Sequence, residues 1–510
     1  MKGELHLQAR ITSNAFDTTG AYVRSVRGVE RLAALFELEV VVIWPLSAKA
    51  LGATDAASMP HLDDVAGAPV SVHLEHRSHA LGGLLADALE TREIVRSIHG
   101  LVASVSDRLD AKTGDLVLTL RVVPRAHNLE LVETYQVFLE TSLPDILRAK
   151  LEGGGLVEGD DYELRLEAEH APIDFVAQYR ETDLAFVKRL CEHRGITVFV
   201  EHGDDRDQLV ITDHNAGFPR PDVPPLVVNR PDAMVLGGVL ELTATRTIIP
   251  SLYIEMDYNY RTPQVDLTSQ HELADAYGGG IIEYGAHYRD PDQGASLAAI
   301  RAEERRAGQL VLTGTTSRGD MAPGRRMTVA EDVRFSELEL LITEVHHDLV
   351  QPATIHDDGV VPRYTCRFVG IPADRRFRPA RATPRPRIHG VLHAIVDPLP
   401  NDEIGEFSNL DAEGRYTVRM YFDVAGSTRT VSSKRVRMIQ GHAGGYYGTH
   451  VPLKPGIEVM VAFVDGDPDR PVIVGAVPNP VTPSPVTADN HTMSRIKTVS
   501  GVIVEMKDRG

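Results

Sequence analysis

Cysteine and tryptophan are almost missing from this chain: 510 residues contain two Cys and one Trp. Cys191 and Cys366 cannot build a disulfide framework, which excludes the small cross-linked secreted folds and suits folding in a reducing compartment. No long apolar run is present either. The richest early one, "LFELEVVVIW", contains Glu37 and Glu39 and falls far short of a membrane span. The start, "MKGELHLQAR", has no apolar stretch of the signal-peptide kind, so the expectation is synthesis in the cytoplasm without a signal peptide. Positive charge is in deficit as well. With 53 Lys and Arg against 72 Asp and Glu, the net charge is −19, which excludes a broad electrostatic grip on nucleic acid.

What is present is an ordinary globular composition, 43% apolar and 25% charged. A chain this long exceeds one compact core, and about three to five domains are expected. Residues 1–125 read mainly as β. "FELEVVVIW", "APVSVHLEH" and "DLVLTLRVVP" are short, rich in β-branched residues and separated by polar turns. A helix-like insert, "ALGGLLADALETRE", interrupts them at residues 80–93. Residues 126–225 change texture. "SLPDILRAKLEGGG" carries a helix start at Ser142, with Pro144 in the first turn and a glycine stop at 153–155. "PIDFVAQYRETDLAFVKRLCEHRG" is read as two helical pieces. In the second, Leu184, Val187, Leu190 and Cys191 share one face, Thr182 is the candidate cap and Gly195 the stop, so Cys191 is a core residue. "ITVFVEH" and "QLVITDH" complete an α/β unit.

Residues 226–378 return to β patterning, interrupted by one helix near 294–307. Residues 379–387, dense in proline and arginine, are a linker by composition. Residues 388–482 form a compact β domain in which Tyr416, Val418, Met420 and Phe422 alternate with polar neighbours. Short strands with Gly and Asp turns in so few residues predict a small barrel of the OB type. Residues 483–510 are a proline-containing tether and a last strand-like stretch, "RIKTVSGVIVEMKDRG", with nothing to pair against.

Chemical sites are scarce. His73, His76 and His79 stand three apart, a spacing that sends them to opposite faces of a strand, and the adjacent His346 and His347 diverge likewise. No HExxH, nucleotide-binding glycine loop or G-x-S-x-G elbow occurs. The acidic loop "DGDPDRP" offers Asp465, Gly466, Asp467, Asp469, Arg470 and Pro471. It lacks the further ligands of a calcium loop, so it is read as a structural hairpin: Gly466 permits a left-handed turn, the prolines stiffen it, and the aspartates accept local N–H bonds. No catalytic residue, metal or cofactor is expected.

Two longer stretches resemble a known family. "YRETDLAFVKRLCEHRGITVFVEH" is similar to the signature helix and strand of the VgrG family, the tip proteins of type VI secretion systems. "GGYYGTHVPLKPGIEVMVAFVDGDPDRPVIVGAVPNP" resembles that family's OB domain, and "VRGVERLAALFELEV" with "DDVAGAPVSVHL" resembles its first barrel. The likeness extends to the hub and needle proteins of contractile phage baseplates. One departure is "RVRMIQGHAGGYYG", which has no tryptophan where the family has a Trp-rich segment.

The resemblance implies a mainly β fold with an α/β insert: two hub β-barrels, an OB-fold barrel and the start of a triple-stranded β-helix needle. It implies a structural homotrimer and no enzyme, adapting a sixfold tube to a threefold membrane-piercing needle. Its partners would be an inner-tube protein and baseplate components above, and a PAAR-like tip cap and toxin effectors below. Contact with the target membrane would be transient, with delivery outside the cell or into a target cell. The needle would begin with Ile496, Val502, Val504 and Met506 on one side of an extended strand, covered by two symmetry mates. A competing reading is an OB module for single-stranded nucleic acid or glycan, using Arg415, Arg419, Lys434, Arg435 and Arg437 with Tyr446 and Tyr447.

Overall fold

The computed structural model describes residues 6–44, 60–79, 90–352, 360–397, 410–423 and 433–507, apart from positions 113, 233, 331, 333 and 336. Two units are formed. One comprises the described residues within 1–132, 147–169 and 184–384; the other comprises those within 133–146, 170–183 and 385–510. Among the described residues no helix is long and apolar enough to cross a membrane.

The first unit opens with six strands: β1 (His6–Ser13), β2 (Tyr22–Arg31), β3 (Glu37–Trp44), β4 (Pro69–His79), β5 (Glu90–Leu109) and β6 (Leu116–Val123). A short helix, α1 (Leu62–Val65), precedes β4. The strands are neighbours in the order β1-β4-β5-β6-β3-β2. β3 shows the cause. Leu38, Val40 and Val42 are buried while Glu37 and Glu39 are exposed, so β-branched and leucine side chains at period two cover one face. Of the helix expected at 80–93, residues 80–89 lie outside the described set. Residues 90–93 belong to β5, paired with His76–His79 of β4. There the ladder to β4 overrides the local helix preference of "ETRE".

Next come β7 (Glu133–Thr141), α2 (Leu143–Gly153), β8 (Tyr162–Arg165), β9 (Ile173–Thr182), α3 (Asp183–His193), β10 (Thr197–His202) and β11 (Asp207–Thr212). Ser142 caps α2, its hydroxyl accepting from the Asp145 N–H at 3.3 Å. Gly195 ends α3 at φ 67°, and Ile196 N–H closes back on the Cys191 carbonyl at 2.8 Å. Cys191 is buried, and burial pushes its thiol well up. The first of the two expected helical pieces is instead β9, antiparallel to β7. Asp174 through Gln178 are buried without a break, so the segment has no polar face to show solvent as an amphipathic helix would.

A second ring of strands follows: β12 (Leu226–Val227), β13 (Val239–Arg246), β14 (Leu252–Asp257), β15 (Leu267–Glu272), β16 (Gly280–Tyr284), α4 (Pro291–Ala307), β17 (Leu310–Thr316), β18 (Arg326–Ala330), β19 (Leu338–Val350) and β20 (Arg363–Pro372). β14, β15 and β16 form a small separate sheet on which α4 packs. The others run β12-β18-β19-β20-β17-β13, and a Val228–Val239 bridge returns β13 to the start. β19 serves both rings. Its Leu338–Leu341 half pairs with β18, and its Glu344–Val350 half pairs with β2. Twelve strands are thereby joined in one sheet.

Two polar devices hold this sheet together. Gln351, just beyond β19, is buried between β1 and β2. Its Oε1 accepts from Ala9 N–H at 2.8 Å, and its Nε2 donates to the carbonyls of Ala9 at 3.0 Å and Val23 at 2.7 Å. A side-chain amide thus does the bonding of a missing strand. The second device is a buried ion pair. Arg96 of β5 donates to both carboxylate oxygens of Glu30 on β2 at 2.7 Å each, and also to the Met321 carbonyl. His347 of β19 meets Glu30 at 2.8 Å and His202 of β10 meets it at 3.3 Å. Burial pushes the Glu30 carboxyl up, but the Arg96 charge and the two imidazole hydrogen bonds outweigh it and hold Glu30 well below the usual carboxylate range. Cys366 lies nearby on β20, its thiol pushed up to about 12 by burial.

In the second unit β7 and β9 accompany the OB domain. Its strands are β21 (Val391–Val396), β22 (Val418–Met420), β23 (Ala443–Gly444), β24 (Tyr447–Gly448), β25 (Glu458–Phe463) and β26 (Pro471–Ala476). The order is β22-β21-β25-β26, and residues 436 and 438 join through isolated bridges to Tyr416 and Ile473. Tyr416, Val418 and Met420 enter the core with Val459, Val461 and Phe463, in the phase expected from the alternation.

Side chains in and beside the linker are engaged within their own units. In the first unit Arg378 reaches Glu303 at 2.7 Å, Arg381 grips Glu283 through two bonds of 2.6 and 2.5 Å, and Thr383 binds Glu192. In the second unit Arg385 reaches Asp467 at 3.0 Å.

Two substitutions test the sheet devices. Gln351→Leu strands the Ala9 N–H and should lower unfolding free energy by about 1–3 kcal/mol in urea titrations. Arg96→Met leaves Glu30 buried without its counter-charge and should cost about 3–5 kcal/mol. Losses below about 0.5 kcal/mol in both would show that neither device stabilises the sheet.

Candidate functional site

The acidic hairpin joins β25 to β26. Asp465 (φ 54°) and Gly466 (φ 71°) are both left-handed, a backbone state that Asp tolerates and Gly favours. Val464 N–H donates to the Arg470 carbonyl at 3.0 Å, and Arg470 N–H donates to the Asp467 carbonyl at 2.9 Å. Pro471 opens β26, the place in a strand where a missing N–H is harmless.

The three aspartates do different things. Asp465 is exposed and lies 3.5 Å from Arg387, which also donates to its carbonyl. Asp467 is buried; one oxygen accepts from Asp469 N–H at 3.0 Å and the other meets Arg385. Asp469 is buried too and accepts from Ala177 N–H of β9 at 2.7 Å. Its own carbonyl takes a bond from Lys434 Nζ at 2.8 Å, and the same ammonium lies over the Phe175 ring. The hairpin is therefore stapled to the β7–β9 ribbon inside its own unit.

The C-terminal stretch departs from expectation. The structure folds it into a hairpin of β27 (Met493–Lys497) and β28 (Ile503–Lys507), so a pairing partner is present within the chain. The turn is made by Gly501 at φ 90° and a Thr498 N–H bond to the Val502 carbonyl at 2.9 Å. The apolar phase survives the fold-back. Ile496 lies directly opposite Val504, and Val502 and Met506 follow at period two, so all four share a face. Each is more than half exposed. Behind them Arg495 and Glu505 pair across the strands at 2.5 Å. This apolar face is uncovered in a single chain.

The other candidates resolve into local structure. His73 bonds Thr12 Oγ1 and Ser97 Oγ, each at 2.8 Å, and burial pushes its value down to about 4. His346 pairs with Glu344, whereas His347 turns inward to Glu30 and to Tyr364 at 2.8 Å. The side chain of His79 lies outside the described set. Of the basic residues that a nucleic-acid groove would use, Arg415 is held by Asp411 and Glu413 at 2.7 and 2.6 Å, and Lys434 by Asp469. Tyr446 and Tyr447 are exposed on the β23–β24 finger.

Comparison with known proteins places these features in context. A phage tail baseplate hub (GPD) family model matches residues 29–353, and a type VI secretion and phage-baseplate injector OB-domain model matches residues 408–477. The chain is 29% identical over 428 residues to the type VI secretion system spike protein VgrG4b of Pseudomonas aeruginosa, covering 79% of this chain and 52% of that one. It is 25% identical to the actin cross-linking toxin VgrG1 of Vibrio cholerae, covering 80% of this chain and 38% of that one. The chain thus spans about half the length, or less, of these curated relatives. Among solved structures, a type VI secretion component of Escherichia coli, described as similar to the T4 phage tail proteins gp27 and gp5, superposes with a TM-score of 0.61 at 21% identity. It covers 92% of this chain and all of that one. The lidded Francisella PdpA–VgrG complex gives 0.63 at 7% identity, covering 99% of this chain and 76% of that one.

The hairpin analysis makes a graded prediction. Asp469→Ala leaves the Ala177 N–H without its acceptor and should cost about 1–3 kcal/mol; Asp467→Ala should cost about 1–2 kcal/mol. Asp465→Asn keeps a side chain at ease in the left-handed turn and should change stability by less than about 0.5 kcal/mol. Urea titrations that reverse this order would remove the structural role of the two buried aspartates.

Proposed function

The chain belongs to the phage tail baseplate hub family, and from that premise we propose that it is a trimeric spike hub of a type VI secretion-like contractile injection apparatus. Two strand rings per chain, repeated three times, supply six similar surfaces for a sixfold tube. One OB domain per chain supplies three below them, where a threefold needle begins. The organisation is a first barrel (1–125), an α/β domain (126–225), a second barrel (226–378), a linker, the OB domain and the needle start. The observation that carries the reading is the order of parts, a hub-type sheet followed by an injector-type OB domain and then an apolar hairpin face with no cover.

Ile496, Val502, Val504 and Met506 are the needle contacts in this reading, packed against two symmetry mates. A hairpin of two short strands is not self-sufficient in water, which favours such a cover. An inner-tube protein and baseplate components above, and a tip cap and effectors below, complete the partner set. The toxin name carried by one Vibrio cholerae relative supports cargo delivery by this class of spike. The role is mechanical, without a catalytic residue in the hub.

In solution the protein should be an obligate trimer by light scattering at micromolar concentration. The double variant Ile496→Asp with Val504→Asp should weaken or break the trimer while both units remain folded by circular dichroism. A stable wild-type monomer would refute the proposal, and salt-dependent retention of single-stranded DNA on filters would favour the binding-module reading instead.

A further inference from the structure

The first unit contains a histidine whose protonation the surrounding main chain cannot accept. We propose that the docking of β10 on β5 is an acid-operated latch, with His202 as its trigger and the proton as its ligand.

The geometry fixes the ring's state. His99 N–H, a main-chain donor on β5, points at His202 Nδ1 from 3.1 Å. A peptide N–H can only donate, so Nδ1 must keep its lone pair and the ring proton sits on Nε2, facing Glu30 at 3.3 Å. Charged groups surround the ring from every side. Glu30 comes from β2, Arg96 and His99 come from β5, and His347 of β19 shares the Glu30 carboxylate. Asp204, Asp205 and Arg125 act on the neighbouring His99. Asp320 and Arg325 stand by the Glu30–Arg96 pair. The Phe36 ring lies at 5.3 Å and closes off water. Arg96 already holds both oxygens of Glu30 and repels a second cation, and the burial of the ring outweighs the attraction that Glu30 still offers a charged His202.

The neighbouring histidines show what makes His202 different. His99 faces Ser71 Oγ at 2.7 Å and the Gly203 carbonyl at 3.1 Å; His73 faces the hydroxyls of Thr12 and Ser97. A hydroxyl can rotate from donor to acceptor, so either ring can take a second proton in place. At His202 the partner is a main-chain N–H, which cannot turn from donor to acceptor. Protonation would set Nδ1–H against His99 N–H, a repulsion that the latch relieves by parting β10 from β5. The ladders joining β2 to β19 and β3 to β6 do not pass through this contact.

The direction follows from linkage. Burial, aided by Arg96 and His99 and opposed by Glu30, pushes His202 from 6.5 down to about 4. The released ring regains an ordinary value, so opening takes up a proton. The closed state is favoured at neutral pH and loses ground as pH falls below about 6.5, by on the order of a hundredfold by pH 4.

The test is amide hydrogen exchange at about pH 7.5 and pH 4.5, corrected for the intrinsic rate. Protection at His99 and across residues 197–212 should fall on the order of a hundredfold at the lower pH. Protection in β19 and β20 should hold, and the change should reverse on neutralisation. His202→Asn retains an oxygen able to accept from His99 N–H and does not titrate, so the pH response should vanish. Uniform loss across the unit, or an unchanged response in the variant, would overturn the latch. Ring nitrogen shifts of the unmodified protein decide independently of any variant. A His202 that charges near pH 6.5 with the seam still protected overturns the proposal; one that stays neutral until the seam opens supports it.

Discussion

One buried carboxylate holds the hub sheet to its plan. Glu30 receives Arg96 from 66 residues away, His202 from 172 and His347 from 317. A buried ion pair is a weak source of net stability, because desolvation offsets most of the Coulomb attraction. It is a strong source of specificity. An arrangement that fails to bring all four side chains together leaves a charge in an apolar interior, and that penalty is several kcal/mol. The early strands, the α/β insert and the late strands must therefore converge on one point.

That constraint explains why the two strand rings are fused rather than strung together. β19 carries His347 in the half that pairs with β2, and its other half pairs with β18. Gln351 then closes the first ring immediately after the shared strand, where a main-chain ladder runs out. The first unit is thereby one continuous sheet in which β19 belongs to both rings. β7 and β9 belong to the second unit with the OB domain, although they lie between first-unit segments in sequence. Asp469, placed in sequence beside a turn, spends its carboxylate on the backbone of β9.

Much of this was legible beforehand, for identifiable reasons. The OB strand from Tyr416 to Met420, the Ser142 cap of α2, the Gly195 stop of α3, and the apolar phase of Ile496, Val502, Val504 and Met506 all rest on local periodicity or local backbone preference, which survives whatever the partner turns out to be. The turn-forming role of Asp465 and Gly466 rests on the backbone preferences of those residues. The failures have a common cause. The "ETRE" and "PIDFVAQY" segments have the local preference of helix, and pairing with β4 and β7 makes both of them strand. The final hairpin was missed because Gly501 marks a turn only if the chain beyond it has something to fold back on.

The network around Glu30 left a partial trace. Glu30 sits in phase with buried Val26, Arg96 with Ile98, and His347 with Val345 and Leu349, so each is a polar residue at an inward position. Such positions announce that a partner must exist, because a buried polar group without one is too costly to keep. They do not say which partner. The sequence by itself determined the β-rich class, the family resemblance, the hairpin turn and the apolar face at the end of the chain, since these depend on residues close together. Only the tertiary structure decided the sharing of β19, the seam closed by Gln351, the anchoring of Asp469 on β9 and the main-chain donor opposite His202. Each of these joins segments far apart in the chain, and periodicity holds no record of which distant group completes a buried bond.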